Sequence, residues 1–391
     1  MSWTQRIQDS LSQRRADNQW RQRQTVESPQ GRTLRIHGQT LLNFCSNDYL
    51  GLAEQGGPAL QRAAIQWGLG SGASHLVCGH SQAHHDLEQA LARHTGYSRV
   101  LLFSTGYMAN LGCIQALTQR GDGIFQDKLN HASLIDGALL SRADFQRYPH
   151  QNYRNLATRL QQREQGLSLV VSDSIFSMDG DLADVNQLAD LCQQHNALLM
   201  IDDAHGFGVL GNQGAGIRND AGLRSRELPL YVGTLGKALG GFGAFVAGDD
   251  ALIDYLIQFA RPYIYTTAIP PAVAEAMLDN LERLQNDDLR TTLNGHIQYF
   301  REQAQHRQLP LMASQSPIQP LLIGDERRAM SISQALRQRG LLITAIRPPT
   351  VPAGTSRLRV TLTAAHTRED IDTLLDALTE LLDTETTGAA R

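Results

Sequence analysis

Six short runs that are apolar from end to end, at 100–103, 124–125, 169–171, 197–201, 228–232 and 244–247, punctuate the middle of this 391-residue chain. A strand with one wet face alternates apolar and polar residues. A run without alternation is buried on both faces, and strands of that kind lie parallel and are joined by helical crossovers. The segments between the runs have the matching pattern: Leu182, Val185, Leu188 and Cys192 recur at helical spacing and give one such helix a buried stripe. The expectation is an α/β fold whose mainly parallel sheet is covered by helices on both sides.

The flanks read differently. Residues 2–24 predict an amphipathic helix with Trp3, Ile7, Leu11 and Trp20 on one side, and 33–44 alternate like a short hairpin. Asn47-Asp48-Tyr49-Leu50-Gly51 is a turn, and a helix follows over 58–67. Pro270-Pro271 and the polar stretch 285–290 lead out of the sheet region. Beyond them a smaller α+β unit is predicted: strand 318–323, helix 328–339, strands 341–346 and 357–361, a helix from Thr367, and a polar, frayed tail over 384–391. The expected division is 1–50 for the N-terminal helix and hairpin, 51–284 for the large domain and 285–391 for the C-terminal α+β domain. Net charge is −4, so no polyanion-binding surface and no nucleic acid partner is indicated. Arg14, Arg15, Arg21 and Arg23 alternate with polar residues as a solvated face does. Cys45, Cys78, Cys113 and Cys192 are far apart and form no metal motif, which fits a reducing compartment. With no membrane-length apolar stretch and no signal-like start, the chain reads as a cytoplasmic protein without a membrane partner.

Chemistry enters with a scarcity. The chain has only two lysines, Lys128 and Lys237, and Lys237 lies in the uncharged stretch Thr234-Leu-Gly-Lys-Ala-Leu-Gly-Gly241. Lysine can lose its proton and bond covalently to an aldehyde, whereas arginine stays charged. Asp202 directly follows the run 197–201, at the carboxyl end of a strand, where open α/β sheets place their ligands. His205 comes three residues later. An acid, a histidine and a lysine in this order suit pyridoxal 5′-phosphate: the lysine anchors the aldehyde, and the carboxylate keeps the pyridine nitrogen protonated. Ser104-Thr105-Gly106-Tyr107 follows a strand and opens a helix, whose first amides suit a phosphate. His131, after the next strand, can stack on a flat ring, and Ser177 offers a hydroxyl. Two glycine motifs mislead. Gly68-Leu-Gly-Ser-Gly-Ala73 follows a helix and not a strand, so it is no dinucleotide site; it reads as a place where backbone passes close to a neighbour. Gly236-Lys237 lacks the Ser/Thr and the leading glycine of a P-loop.

Together with Ser46-Asn47-Asp48-Tyr49-Leu50-Gly51, His131-Ala132-Ser133, Phe176-Ser177-Met178-Asp179-Gly180, Asp202-Asp203-Ala204-His205-Gly206, Gly233-Thr234-Leu235-Gly236-Lys237 and Tyr265-Thr266-Thr267, these segments resemble the α-oxoamine synthases, which are pyridoxal-phosphate enzymes of aminotransferase fold type I. The likeness runs from about Asn43 to His366 and implies a seven-stranded sheet. It implies that Lys237 binds the cofactor and moves the substrate α-proton, that Asp202 pairs with the pyridine nitrogen, and that His205 and Ser177 lie near the phenolic oxygen. His131 stacks on the ring. Gly106, Tyr107 and Thr234 hold the phosphate, with Thr266 reaching in from the second subunit of a homodimer. Asn47 and Arg359 grip the substrate carboxylate, and Arg21 and Thr350 stand at the acyl end. Segments 345–352, 357–359 and 363–366 resemble the branch of the family that joins L-alanine to a pimeloyl thioester in biotin synthesis. The carrier of the acyl group, coenzyme A or an acyl carrier protein, stays open, as does a related synthase using glycine or a fold-type-I aminotransferase. No metal is expected.

Overall fold

A computed structural model gives the fold and describes residues 1–17 and 19–388. The last three residues of the tail expected to fray lie outside the described residues. The chain opens with helix α1 (Trp3–Ala16), which buries no residue. The helix expected over 2–24 thus stops early, capped at Asp17; Trp3, Ile7 and Leu11 are exposed, and Trp20 lies beyond the helix. Strands β1 (Thr33–Ile36) and β2 (Gln39–Asn43) form the hairpin. After α2 (Gly57–Trp67) comes a single π turn, His75–Gly79, then α3 (Gln82–Thr95).

The large sheet contains β3 (Arg99–Phe103), β4 (Gly123–Asp127), β5 (Asp144–Tyr148), β6 (Ser168–Asp173), β7 (Leu198–Asp202), β8 (Leu230–Thr234) and β9 (Ala244–Gly248). Helix α4 (Gly106–Leu117) follows β3, and α5 (Ala132–Ser141) follows β4. The strand order is β3-β9-β8-β7-β6-β4-β5, and only β9 runs antiparallel to its neighbours. Successive residues of one strand feed different cores. Val100 and Leu102 join one apolar cluster, Leu101 and Phe103 the other, as expected of a sheet covered on both faces. Strand β5 has no apolar run. It is one edge of the sheet, and there most of its side chains meet water, so polar residues are tolerated.

The remaining strands are β10 (Ile318–Gly324), β11 (Leu341–Leu342), β12 (Thr344–Ile346) and β13 (Ser356–Thr361). The single strand expected over 341–346 is broken at Ile343, whose carbonyl accepts the Ser333 hydroxyl. Its first half pairs with β2 of the N-terminal hairpin and its second with β13, so Phe44 and the turn after it are held against the C-terminal elements. The helix Arg368–Gly388 closes the described chain. Gly68 and Gly72 have φ of +72° and, like Gly70, face open space. Within this chain the glycine stretch serves left-handed turns and not close backbone contact.

Candidate active site

All parallel strands of the large sheet end on one side, and the candidate site is built there. Asp173 of β6 and Asp202 of β7 are partners across the ladder, each the last residue of its strand. Two carboxylates meet at this edge, and each is held differently. Asp202 accepts from the Asn110 amide at 2.6 Å, one turn into α4, and from the Ala204 N–H at 3.0 Å. Asp173 accepts from the His131 N–H at 2.7 Å. Burial, and then the Asp202 charge, push the Asp173 carboxyl well above the usual carboxylate range. The next residue along from Asp202 points away: Asp203 is buried against the Ile217 N–H and the Tyr231 hydroxyl, and burial lifts it to about 7.

Lys237 sits in the connection between β8 and β9, a turn closed by backbone bonds from Leu235 to Gly243, Gly241 to Leu235 and Gly240 to Lys237. Gly240 adopts φ +70°, and a Cβ there would lie 2.4 Å from the Ala53 nitrogen, so this turn needs glycine. The Lys237 amine lies 2.8 Å from His205 Nε2, and His205 Nδ1 lies 2.5 Å from the Tyr49 hydroxyl. Tyr49 in turn donates to Asn47 Oδ1 at 3.3 Å, which also accepts from Arg359 at 3.1 Å. With the tyrosine proton directed at Asn47, His205 donates from Nδ1 and accepts the lysine at Nε2. That is the neutral imidazole, which burial and the nearby Lys237 and Arg359 charges enforce. Burial also brings the lysine down to about 8, against the pull of Asp202, so near neutral pH a useful fraction is free amine.

Helix α4 begins within reach of this group. The Thr105 side chain takes the Met108 N–H and the Thr105 carbonyl takes that of Ala109. The Gly106 and Tyr107 amides are first-turn groups without an intrahelical acceptor. His131 caps α5, bonded through Nδ1 to Ser133 at 2.7 Å, and burial lowers its pKa. Gly106, Tyr107, His131, Ser177, Asp202, His205, Thr234 and Lys237 all line one cavity of about 200 Å³, completed by Asn110, Ser133, Asp173 and Ala204. Of these last four, Asp173 follows the run 169–171 with Ser172 between, a weaker form of the signal at Asp202; Ser133 lies in the quoted His131-Ala132-Ser133 segment without a role of its own, and Asn110 carried no signal.

Other expected residues fall elsewhere. Asn47 and Arg359 join the site through the hydrogen-bond chain, and Arg359 also donates to the Ser177 carbonyl at 2.7 Å and to Thr361 at 2.9 Å. All its partners are neutral, so among the described residues this buried cation has no carboxylate. Thr266 is half-buried outside the cavity, although Ser104 ties the adjacent Thr267 carbonyl to the start of α4. Thr350 is exposed, and Arg21 is exposed beside a surface hollow made only of residues 20–25. The chain by itself does not bring these three to the amine. No described helix is long and apolar enough to cross a membrane.

The donor set fits pyridoxal phosphate: an amine near neutrality, an aspartate held by two donors, a histidine at the wall and two unpaired helix amides. Known proteins agree. The model of the family described as aminotransferase class I and II matches residues 39–378. The 8-amino-7-oxononanoate synthase of Cellvibrio japonicus is 56% identical over 97% of this chain and 96% of its own. A solved 8-amino-7-oxononanoate synthase from Francisella tularensis is 33% identical, with a TM-score of 0.77 over 88% of this chain and 99% of that one. A single-site variant of the serine palmitoyltransferase from S. paucimobilis, solved with bound PLP, is 27% identical, with a TM-score of 0.92 over 97% and 98%. The chain belongs to the class I and II aminotransferase family and, within it, to the group of the 8-amino-7-oxononanoate synthases.

Proposed function

We propose that this chain condenses L-alanine with a pimeloyl thioester, releasing carbon dioxide and free thiol to give 8-amino-7-oxononanoate for biotin biosynthesis. The observation that carries the reading is the Lys237 amine facing the same small cavity as the Asp202 carboxylate, in a chain 56% identical to a synthase of that name. Pyridoxal 5′-phosphate supplies an aldehyde for the lysine and a protonated ring that accepts electrons from a substrate carbon. Lys237 Nζ would be the covalent anchor for that aldehyde and, as a free amine, the group placed to take and return the substrate α-proton. His205 holds that amine in place. Asp202, fixed by Asn110 and Ala204, keeps the ring nitrogen protonated. The Gly106 and Tyr107 amides with the Thr234 hydroxyl receive the phosphate, His131 covers a ring face, and Ser177 with His205 addresses the phenolic oxygen. Arg359, a buried cation without an anion, and Asn47 receive the substrate carboxylate.

The working form is a cytoplasmic homodimer in which the Thr266 segment completes the partner's site. Support comes from an apolar surface beside that segment: Leu69, Leu76, Val77 and Tyr265 are all more than half exposed, and a bridge between Ser74 and Thr267 draws the two stretches together. Arg21 and Thr350 then serve the far end of the acyl chain. Backbone likeness does not choose the substrate, since the palmitoyltransferase superposes with the higher TM-score at the lower identity. Product mass does. Alanine or glycine should be offered with pimeloyl, acetyl, succinyl and palmitoyl thioesters, and the pimeloyl group on coenzyme A and on acyl carrier protein. Alanine with pimeloyl thioester is expected to give the highest kcat/KM. A better glycine pair, or return of a keto acid with no condensation, overturns the assignment.

A further inference from the structure

Four of the chain's thirteen histidines fall between residues 75 and 85, on the π turn and the start of α3, away from the cavity just described. His85 and Glu88 are one helical turn apart on α3, and His80 directly precedes the capping residue Ser81. One ligand-type atom from each of His80, His85 and Glu88 lies within 4.8 Å of the other two, and His80 Nε2 is 3.9 Å from Glu88 Oε2. Metal–nitrogen and metal–oxygen bonds of about 2.0–2.2 Å put tetrahedral ligands roughly 3.3–3.6 Å apart. The exposed His85 ring, whose Nε2 lies 2.8 Å from the Gln89 side-chain amide, would exchange that contact for the ion as it closes the gap.

The supporting contacts aim these atoms inward. Glu88 Oε1 accepts from the Leu102 N–H at 3.0 Å, which turns Oε2 toward His80. His80 Nδ1 lies 2.9 Å from His75 Nδ1, so a single proton is shared there; carried by His80, it leaves the Nε2 lone pair facing Glu88. A metal-binding imidazole is oriented in this way, by a bond from its other nitrogen. His75 is itself fixed by stacking on Tyr263 at 5.0 Å and 12°. His84 is committed to Ser81 and to the Ile269 carbonyl and stands outside the set. The charge is unmatched as well. Arg99, the arginine nearest in influence on Glu88, is bonded to Asp254. A partly buried carboxylate that pairs with no arginine or lysine among the described residues, set beside two imidazoles, is a donor set for zinc and its neighbours.

We propose that His80, His85 and Glu88 bind a divalent transition-metal ion, with zinc the best fit, leaving one coordination position to water. Three protein ligands pin the π turn to α3, so the ion acts on stability and not on the reaction at Lys237. The test uses tag-free holoenzyme stripped with chelator, titrated with zinc chloride by calorimetry and with cobalt(II) for its visible bands. Expected are one zinc per chain, a rise in Tm on zinc addition, and at least about a tenfold weaker affinity in both H85A and E88Q. Glu88→Gln keeps the oxygen that Leu102 needs, and His85 is exposed, so both variants should fold; cofactor absorbance and turnover should match the parent. No saturable zinc binding, or one zinc held equally well by both variants, overturns the proposal.

Discussion

The ends of strands β6, β7 and β8 contrast with the stretch from α1 to Thr25. At the strand ends Asp173 and Asp202 are buried, Lys237 is partly so, and each is held by named donors or acceptors. In α1 no residue is buried, and Arg21 stands in water. Both regions were assigned a part in the same reaction. The contrast teaches that the bond-making half of the site is finished by the fold of one chain, because neighbouring parallel strands fix their last residues relative to each other. The residues proposed for the acyl end, Arg21 and Thr350, are left exposed by the fold of one chain. Chemistry and selectivity are therefore expected to respond to different changes.

The sharpest test of the finished half is Lys237→Ala, with an expected loss of kcat of at least about 10³-fold, since it removes both anchor and base. In the parent, borohydride should fix the cofactor on Lys237 and leave Lys128 unlabelled, as peptide mass will show. Cofactor capture by cofactor-free protein should quicken about tenfold per pH unit up to about pH 8 and then level off, because only the neutral amine attacks. A rate that is flat in pH breaks the claim that burial sets this amine. Asp202→Asn keeps the shape and removes the charge; exchange of the alanine α-proton with deuterated solvent should slow by about 10²–10³-fold, and near-parent exchange would give the ring proton to another group.

Arg359→Lys probes the seam between the two regions. It keeps the charge and loses the fork, so kcat/KM for alanine should fall about 10–100-fold, the worth of ~1.5–3 kcal/mol of charge-assisted hydrogen bonding. An unchanged value would remove the arginine from carboxylate binding. The smallest effect tests the unfinished half. Mixing Lys237→Ala chains with Thr266→Ala chains leaves one intact site in each mixed dimer, so activity should return toward about a quarter of the parent when chains exchange freely. Activity that merely adds argues that each chain serves itself.

The parallel sheet, its crossovers and the placement of Asp202 were readable because two-sided burial writes itself as unbroken apolar runs. Strand β5 was not, since its side chains stay largely exposed and need no such run, unlike those of β3 at the other, buried edge. Asp173 was passed over because Ser172 separates it from the run 169–171; only the register that sets it beside Asp202 makes it notable. The chain of contacts from Lys237 to Arg359 joins residues more than 300 positions apart through Tyr49, and no local pattern encodes that. The early end of α1 has a different cause. Its apolar residues are spaced for burial, yet within one chain they have nothing to pack against, and spacing alone cannot say where a surface lies.

The turn that carries Lys237 is laced to itself and seated between two central strands, with Gly240 pressed against Ala53. The post is fixed, and only the four-carbon tether swings. An amine that must let go of one partner, collect a proton from another and come home does so by rotating side-chain bonds, a matter of picoseconds to nanoseconds. No loop has to open for it.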